Sequence, residues 1–166
     1  MIRDTVPIKE NHGDDLDIKL DYNDFEGDDF DMEFDGHHYK IIRSSKESAG
    51  EMTARVSSDR KDHTFELMEI VFHGGSEHTI DGKRYDLEMQ IVHKQKGEKL
   101  ERPFAILSIL FHAGDANIFL DKIMEEEEVA WEEMLDEEIL EYYHYEGSFT
   151  TPECKQLVNW YIWNEI

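Results

Sequence analysis

Cysteine and basic residues are both scarce in this chain, and each shortage excludes something. Cys154 is the only cysteine, so no intrachain disulfide can form, and a reducing, intracellular compartment is favoured. The simplest state for Cys154 is a free thiol, with an intermolecular disulfide as the alternative. Only 17 lysines and arginines oppose 40 acidic residues, which gives a formal charge of −23. Such a surface repels nucleic acids and anionic membranes, whereas it attracts basic protein partners or loosely held cations. A solvated surface suited to a salty medium would look the same.

Long apolar runs are also missing. No stretch approaches the roughly 20 apolar residues that a membrane-spanning helix needs. The first 24 residues are polar and acidic, so they resemble neither a secretory signal nor an arginine-rich transit peptide. We therefore expect a cytoplasmic protein, or one within an organelle-associated assembly.

The length of 166 residues predicts a single domain. We divide it into an acidic lead-in, residues 1–35, and a core, residues 36–166. The lead-in has no run that matches the Asp-x-Asp-x-Asp-Gly calcium loop. Alternation at Ile18, Leu20 and Tyr22 allows one short strand there.

The core sequence is mainly of strand type. Apolar and alternating patterns predict strands at Tyr39–Ile42, Phe65–His73, Tyr85–His93 and Phe104–Phe111, and a last one through Val158, Trp160 and Ile162. The continuous apolar run Phe104–Phe111 is typical of a strand buried on both faces. Asp81-Gly82 predicts a tight turn. Helical spacing follows at Ile118, Leu120, Ile123 and Met124, and again at Val129, Trp131, Met134 and Leu135. This pattern predicts a mainly β, α+β domain around a twisted, mostly antiparallel sheet.

Several sequence words, in order over about a hundred residues, resemble the α-class carbonic anhydrases. They are Gly75-Ser76-Glu77-His78-Thr79-Ile80-Asp81-Gly82-Lys83-Arg84-Tyr85, Glu88-Met89-Gln90-Ile91-Val92-His93, Tyr145-Glu146-Gly147-Ser148-Phe149-Thr150-Thr151-Pro152 and Val158-Asn159-Trp160. Pro7-Ile8 and Gly36-His37 are weaker matches. Relative to the family, the chain is shortened at both ends, which is expected to leave sheet edges and apolar surface open.

The resemblance implies a catalytic zinc held by three histidines, and this chain departs from that pattern. The family's ligand positions correspond to Val71, His73 and Gln90. Valine has no donor atom, and a neutral amide is a weak zinc ligand. His93 cannot replace Gln90, because residues three apart on a strand face opposite ways. We therefore expect that zinc is absent and that there is no cofactor.

Much of the surrounding family pattern is nevertheless present. The resemblance assigns Thr150 and Glu77 to alignment of the zinc-bound hydroxide, Glu88 to orientation of the third histidine, and His37 to proton transfer. It assigns an apolar wall for carbon dioxide to Val92, Ile106, Phe149 and Trp160. Without zinc, Glu77, Glu88 and Thr150 are better interpreted as structural, because buried hydrogen-bonded groups are costly to remove singly. We expect His37 to face solvent and His73 to be a hydrogen-bonded core histidine.

These features support three hypotheses. The first is a pseudoenzyme similar to the acatalytic carbonic-anhydrase-related proteins, not an enzyme, which acts as a protein-binding or accessory subunit of a larger assembly. The second is a weak or divergent metal-dependent carbonic anhydrase or esterase, with the metal on His73 and rearranged donors such as His78, His37 or Glu88. The third is a metal-free pocket for a small molecule between Val71, Gln90 and Thr150.

Overall fold

The computed structural model describes residues 9–10, 18–25, 30–43, 48–97, 99–135, 138–139 and 141–163. The weak match at Pro7-Ile8 and most of the acidic lead-in, including Asp14-Asp15 and Asp28-Asp29, lie outside these ranges.

One large, mostly antiparallel sheet organises the described part of the chain. Its central strands follow the order β1-β12-β13-β10-β9-β6-β5-β2-β11, and the β3–β4 hairpin joins through β4 to β6. Only β10 and β13 run parallel in this order. The bounds are β1 Lys9–Glu10, β2 Ile18–Tyr22, β3 Phe30–Phe34, β4 Tyr39–Arg43, β5 Gly50–Val56, β6 Lys61–Gly74, β7 Thr79–Ile80, β8 Lys83–Arg84, β9 Leu87–Gln95, β10 Phe104–Phe111, β11 Glu138–Ile139, β12 Tyr142–Gly147 and β13 Val158–Trp163.

The sequence prediction of a mainly β fold is confirmed, and β2, β4, β6, β9, β10 and β13 all fall on predicted strands. β10 is buried along almost its whole length, as its apolar run predicts. Asp81 and Gly82 form the turn of a small hairpin, β7–β8, and both have positive φ, 52° and 75°. This conformation is that of the type I′ turns that Asp-Gly favours.

The sequence patterns missed three longer strands, β3, β5 and β12, and did not predict the two-residue strands β1, β7, β8 and β11. β5 alternates buried and half-buried residues along its whole length, but its apolar side chains are small or interrupted by charges. β2 and β3 lie in the segment predicted as a lead-in, yet both pair within the main sheet.

The helical prediction is right for one stretch and wrong for the next. Helix α1 spans Ile118–Glu125, and the Asn117 side chain caps it by accepting from the Leu120 N–H at 3.1 Å. The second stretch contains only a 3₁₀ turn at Trp131–Glu133. Trp131 is held there by hydrogen bonds to Asp24 and Asn23, so tertiary contacts outweigh the helical spacing.

The sheet separates two buried regions. Strand alternation places Met89 and Ile91 in the main core, together with α1, β2 and Trp131. The intervening residues of β9 face the other side, where a smaller apolar cluster contains Val71, Val92, Ile106, Val158 and Trp160. The candidate site lies on this second face. In the described residues, no helix is long and apolar enough to cross a membrane.

Candidate functional site

Strands β6 and β9 bring the predicted site residues together. They pair antiparallel with Val71 opposite Gln90 and His73 opposite Glu88. Because side chains two apart share a face, all four side chains lie on the same side of the sheet. All four are buried. The geometry inferred from sequence spacing is therefore the one that the structure has.

The carboxylate of Glu88 is the centre of a polar network on this face. Its Oε2 accepts from the backbone N–H groups of Glu77 and His78 at 2.8 and 2.9 Å. Its Oε1 accepts from three side chains, at 2.7–2.8 Å: His78 Nδ1, Gln90 Nε2 and Ser108 Oγ. The side chain is fully buried, yet both oxygens have donors.

These donors determine the charge of Glu88. Burial raises its pKa, but the hydrogen bonds and the charge of His78, with a further bond from Gln90, outweigh that effect and hold the pKa at about 2. The carboxylate is consequently ionised at neutral pH. It serves as an internal anion that fixes the orientation of the side chains around it.

His78 extends the network towards the apolar cluster. Its Nδ1 donates to Glu88, and its Nε2 lies 2.6 Å from the hydroxyl of Tyr145. Burial raises the pKa of Tyr145, so the phenol keeps its proton at neutral pH. The imidazole also packs edge-on against Trp160, with ring centroids 4.8 Å apart. Both of its nitrogens are occupied, which leaves neither free for a metal.

Gln90 takes part in the same network in the place where the family has a histidine. Its Nε2 donates to Glu88 at 2.8 Å and to Glu77 at 3.1 Å. The amide thus connects two carboxylates through its own protons. An amide binds a cation through its oxygen and not its nitrogen, so Gln90 offers at most one weak neutral ligand atom, Oε1.

His73 differs from its neighbours because it is incompletely satisfied. The residue is only 3% exposed, and its Nε2 has no hydrogen-bond partner in the described part of the protein. Its Nδ1 lies 3.7 Å from Glu77 Oε2, and the His38 ring packs against it at a centroid distance of 4.4 Å. Burial lowers the pKa of His73, so the neutral ring is favoured. His73 is thus a buried histidine with one ring nitrogen, Nε2, unpartnered among the described residues.

These donors do not fit the three-histidine zinc centre that the resemblance implies. Val71 is a hydrocarbon, Gln90 offers only a neutral amide oxygen, and His73 alone keeps a free imidazole nitrogen at the three ligand positions. Three protein ligands are the norm for catalytic zinc. Over the ranges that the structure describes, no group of three or more His, Cys, Asp or Glu side chains is placed to hold a metal ion.

The remaining predicted residues are only partly assembled. Val92, Ile106 and Trp160 pack with Val71, and Phe149 lies against the same cluster. Thr150 lies in the loop after β12, and within the described residues no hydrogen bond joins it to Glu77. His37 is exposed in the turn between β3 and β4, where its N–H donates to Asp35 at 2.9 Å. The carbon dioxide and proton-transfer roles of these residues remain predictions.

Comparison with known proteins identifies the family. The family model described as eukaryotic-type carbonic anhydrase matches residues 6–166. The chain belongs to the α-carbonic anhydrase family. Alpha carbonic anhydrase 3 of Arabidopsis thaliana is 31% identical over 154 residues, which cover 78% of this chain and 52% of that protein. Dioscorin dioA3 of Dioscorea japonica is 32% identical over 115 residues, 61% of this chain and 41% of that protein.

Solved structures agree with this assignment. The α-carbonic anhydrase of Photobacterium profundum superposes with a TM-score of 0.71 at 26% identity, and covers 95% of this chain and 70% of its own. The resemblance inferred from the sequence words is therefore confirmed at the level of family and fold. The chain spans about half the length of the curated relatives that it matches.

The comparisons contradict one expectation, that the protein is not an enzyme. The matched family is one of enzymes, and relatives such as those from Arabidopsis thaliana and Dunaliella salina are named carbonic anhydrases. The prediction was inferred from two absent histidines. The absence of two histidines shows which ligand atoms one site lacks. It does not establish that the protein has no activity.

Two members of the network were missed in the sequence. Ser108 is a single polar residue inside the apolar run of β10, and a buried hydroxyl requires a partner. That interruption was a usable signal. Tyr145 stands in one of the words that resemble the family, but nothing in the local pattern indicates that its hydroxyl reaches His78.

Proposed function

We propose that this α-carbonic-anhydrase domain acts as a binding module, an accessory subunit that contacts a protein partner through an open sheet edge and the apolar surface beside it. The observation that carries the proposal is the β3–β4 hairpin. Phe34 and Tyr39 pair across it with ring centroids 4.7 Å apart, yet they are 58% and 50% exposed. Exposed aromatic pairs at a sheet edge are typical of contact surfaces.

Charge supports the same proposal and indicates the kind of partner. A formal charge of −23 favours a basic protein surface and disfavours nucleic acid. In this proposal the network around Glu88 is a structural support of the fold, complete without zinc or another cofactor. A reducing, intracellular setting also belongs to the proposal, because the single cysteine, Cys154, is exposed and free.

Native mass spectrometry of the protein isolated from its own cells tests the binding role. We expect a complex that contains this chain and at least one other protein, dissociating as salt is raised. Isolation as a monomer under gentle, low-salt conditions, with no cross-linked partner, would contradict it.

A second candidate function is carbon dioxide hydration, the activity for which relatives are named. The buried Nε2 of His73, which has no partner among the described residues, is the observation that favours it, because a free imidazole nitrogen can accept a metal or a proton. Of the rearranged donors considered, His78 and Glu88 are already engaged, and His37 is exposed. Metal analysis of the purified chain, with a sulfonamide-sensitive hydration assay, measures this directly. Stoichiometric metal with hydration would establish the activity, and their absence would exclude it.

A further inference from the structure

Strand β3 has an unpaired edge in the described part of the protein. It pairs with β4 on one side, in the register Phe34–Tyr39, Met32–Ile41 and Phe30–Arg43, and no other described strand pairs with it. Unpaired strand edges present N–H and C=O groups that another strand can bind.

The hairpin geometry identifies which backbone groups face outward. The Asp35 N–H donates to the His38 carbonyl at 3.2 Å, so these two residues form a hydrogen-bonded pair. Hydrogen-bonded and non-hydrogen-bonded pairs alternate along an antiparallel ladder. Asp31 and Glu33 therefore direct their backbone groups towards β4, whereas Phe30, Met32 and Phe34 direct theirs towards the open edge.

The side chains of β3 alternate in chemistry as well as direction. Phe30, Met32 and Phe34 lie on the face that continues the main core and become more exposed towards the turn. Asp31 and Glu33 are exposed on the other face. A strand added at this edge would place alternate side chains beside the apolar row and beside the acidic row.

We propose that the β3 edge binds an extended segment of another protein in which apolar and basic residues alternate. The segment adds a strand through the outward groups of Phe30, Met32 and Phe34. Its apolar side chains pack beside Met32 and Phe34, and its lysines or arginines lie beside Asp31 and Glu33. This mode of recognition combines main-chain hydrogen bonds with side-chain specificity.

A second copy of the chain fits this edge poorly. Two β3 edges that pair about a two-fold axis bring Asp31 and Glu33 of one copy beside those of the other. Like charges directly opposite in a sheet destabilise the pairing, and each chain already carries a charge of −23. Charge complementarity thus selects a basic partner.

A peptide experiment with the full chain tests the inference, which rests on the proposed binding role. The probe is a short, end-capped, fluorescent peptide of alternating valine and lysine. We expect saturable binding that weakens with salt, together with slower amide hydrogen exchange across Phe30–Phe34. No binding, or equal binding of a valine–glutamate peptide, would overturn it.

Backbone pairing is tested by Met32→Pro, which removes an N–H that points away from β4 and so leaves the ladder with β4 intact. We expect peptide affinity to fall about tenfold, whereas Met32→Ala, which keeps the N–H, should change it by less than about threefold. Equal effects of the two variants would exclude strand addition.

Charge recognition is tested separately, in a variant that does not touch the backbone. Asp31→Lys combined with Glu33→Lys should reverse the preference, so that the valine–glutamate peptide binds better. The matched control, Glu101→Lys with Glu125→Lys, changes the net charge equally at exposed positions elsewhere and should keep the preference for lysine. If the control variant also preferred the valine–glutamate peptide, net charge alone would explain the preference, and the proposed site would be wrong.

The outcomes also separate this inference from the proposed function. If the peptide does not bind but the cellular protein is isolated with a partner, the β3 site is wrong and the binding role stands. Concentration-dependent dimerisation that Met32→Pro abolishes would assign the edge to a second copy instead.

Discussion

The Glu88 network and the β3–β4 hairpin are opposite solutions to the placement of polar and apolar groups. In the network, buried polar groups have partners: Glu88 alone accepts five hydrogen bonds. In the hairpin, two aromatic rings and one strand edge lack cover in the described structure. The residues that match the family pattern are therefore satisfied inside the chain, whereas the groups left uncovered lie elsewhere, on the β3–β4 hairpin. In the proposal, the first region supports the fold and the second is the surface that a partner covers.

Restoring histidines at the two changed ligand positions is expected to have the largest effect. In Val71→His with Gln90→His, three imidazoles would lie on one face of paired strands, since Val71 is directly opposite Gln90 and two residues from His73. We expect zinc affinity to rise about a thousandfold or more, which corresponds to about 4 kcal/mol. Competition against a chelator of known affinity measures it. The same variant with His73→Ala is the control and should lose most of the gain. If the unchanged chain already binds zinc tightly, the donor argument is wrong.

Removal of the central carboxylate should have the next largest effect. Glu88→Ala leaves its five donors without an acceptor inside the protein, and we expect the free energy of unfolding to fall by about 3–5 kcal/mol. Denaturant unfolding measures this loss. Glu125→Ala, at the exposed last residue of α1, is the matched control and should change stability by less than about 0.5 kcal/mol. A loss below about 1 kcal/mol for Glu88→Ala would show that the network contributes little to the fold.

Acid should lower the free energy of unfolding through His93, a buried histidine on the opposite face of β9 from the Glu88 network. Burial lowers the pKa of His93 from 6.5 to about 4, against the raising effect of its hydrogen bond to the Ala105 carbonyl. Its Nε2 accepts from the Tyr22 hydroxyl at 2.7 Å, so the neutral ring has both partners that it needs.

The sign of the pH effect follows from that shift. Above pH 6.5 the ring is neutral in both states and costs nothing. As the pH falls from 6.5 towards 4, the unfolded chain takes up a proton that the folded chain excludes, so about 3 kcal/mol of stability is lost. Unfolding curves across this interval test it, and His93→Gln should flatten this part of the profile. An unchanged profile in that variant would assign the acid effect to other groups.

The smallest expected effect on folding is at the hairpin. Phe34→Ser should change the free energy of unfolding by less than about 0.5 kcal/mol, because the ring is already 58% exposed. Ile41→Ser on the same hairpin, where the side chain is 4% exposed, should cost about 2–4 kcal/mol. Thermal unfolding compares the two. A loss at Phe34 as large as that at Ile41 would mean that the pair with Tyr39 is part of the core and not a contact surface.

The sequence predicted the site better than it predicted the sheet around it. Val71, His73 and Gln90 could be placed on one face, because two-residue alternation is a local rule and their strands have strong apolar patterns. β3 could not be found, because Asp31 and Glu33 made it look like part of an acidic tail, and its stability comes from pairing with β4. β12 was hidden for a similar reason, since its burial depends on β13.

Long-range partners were beyond any local pattern. The bond from Tyr145 to His78 spans 67 positions, and that from Tyr22 to His93 spans 71. The second helical stretch failed for the same reason, because Trp131 is fixed by residues near position 24. The prediction that the protein is not an enzyme was wrong for a different reason. It applied a conclusion about three ligand positions to the activity of the whole protein.

Strand β6 pairs with β5 up to Glu66 and with β4 from Glu69. On its other edge Leu67 pairs with His93 and Glu69 with the next residue, Val92, so β6 contains a β-bulge. Met68 is the supernumerary residue, and its side chain projects to solvent. Before Met68 the odd-numbered residues of β6, such as Phe65, face the main core, and after Met68 the even-numbered residues, such as Ile70, do so. The rule that alternate residues share a face therefore holds separately before and after Met68 and cannot be extended across it. A relative that lacks this one residue could keep the same core-facing side chains on both sides.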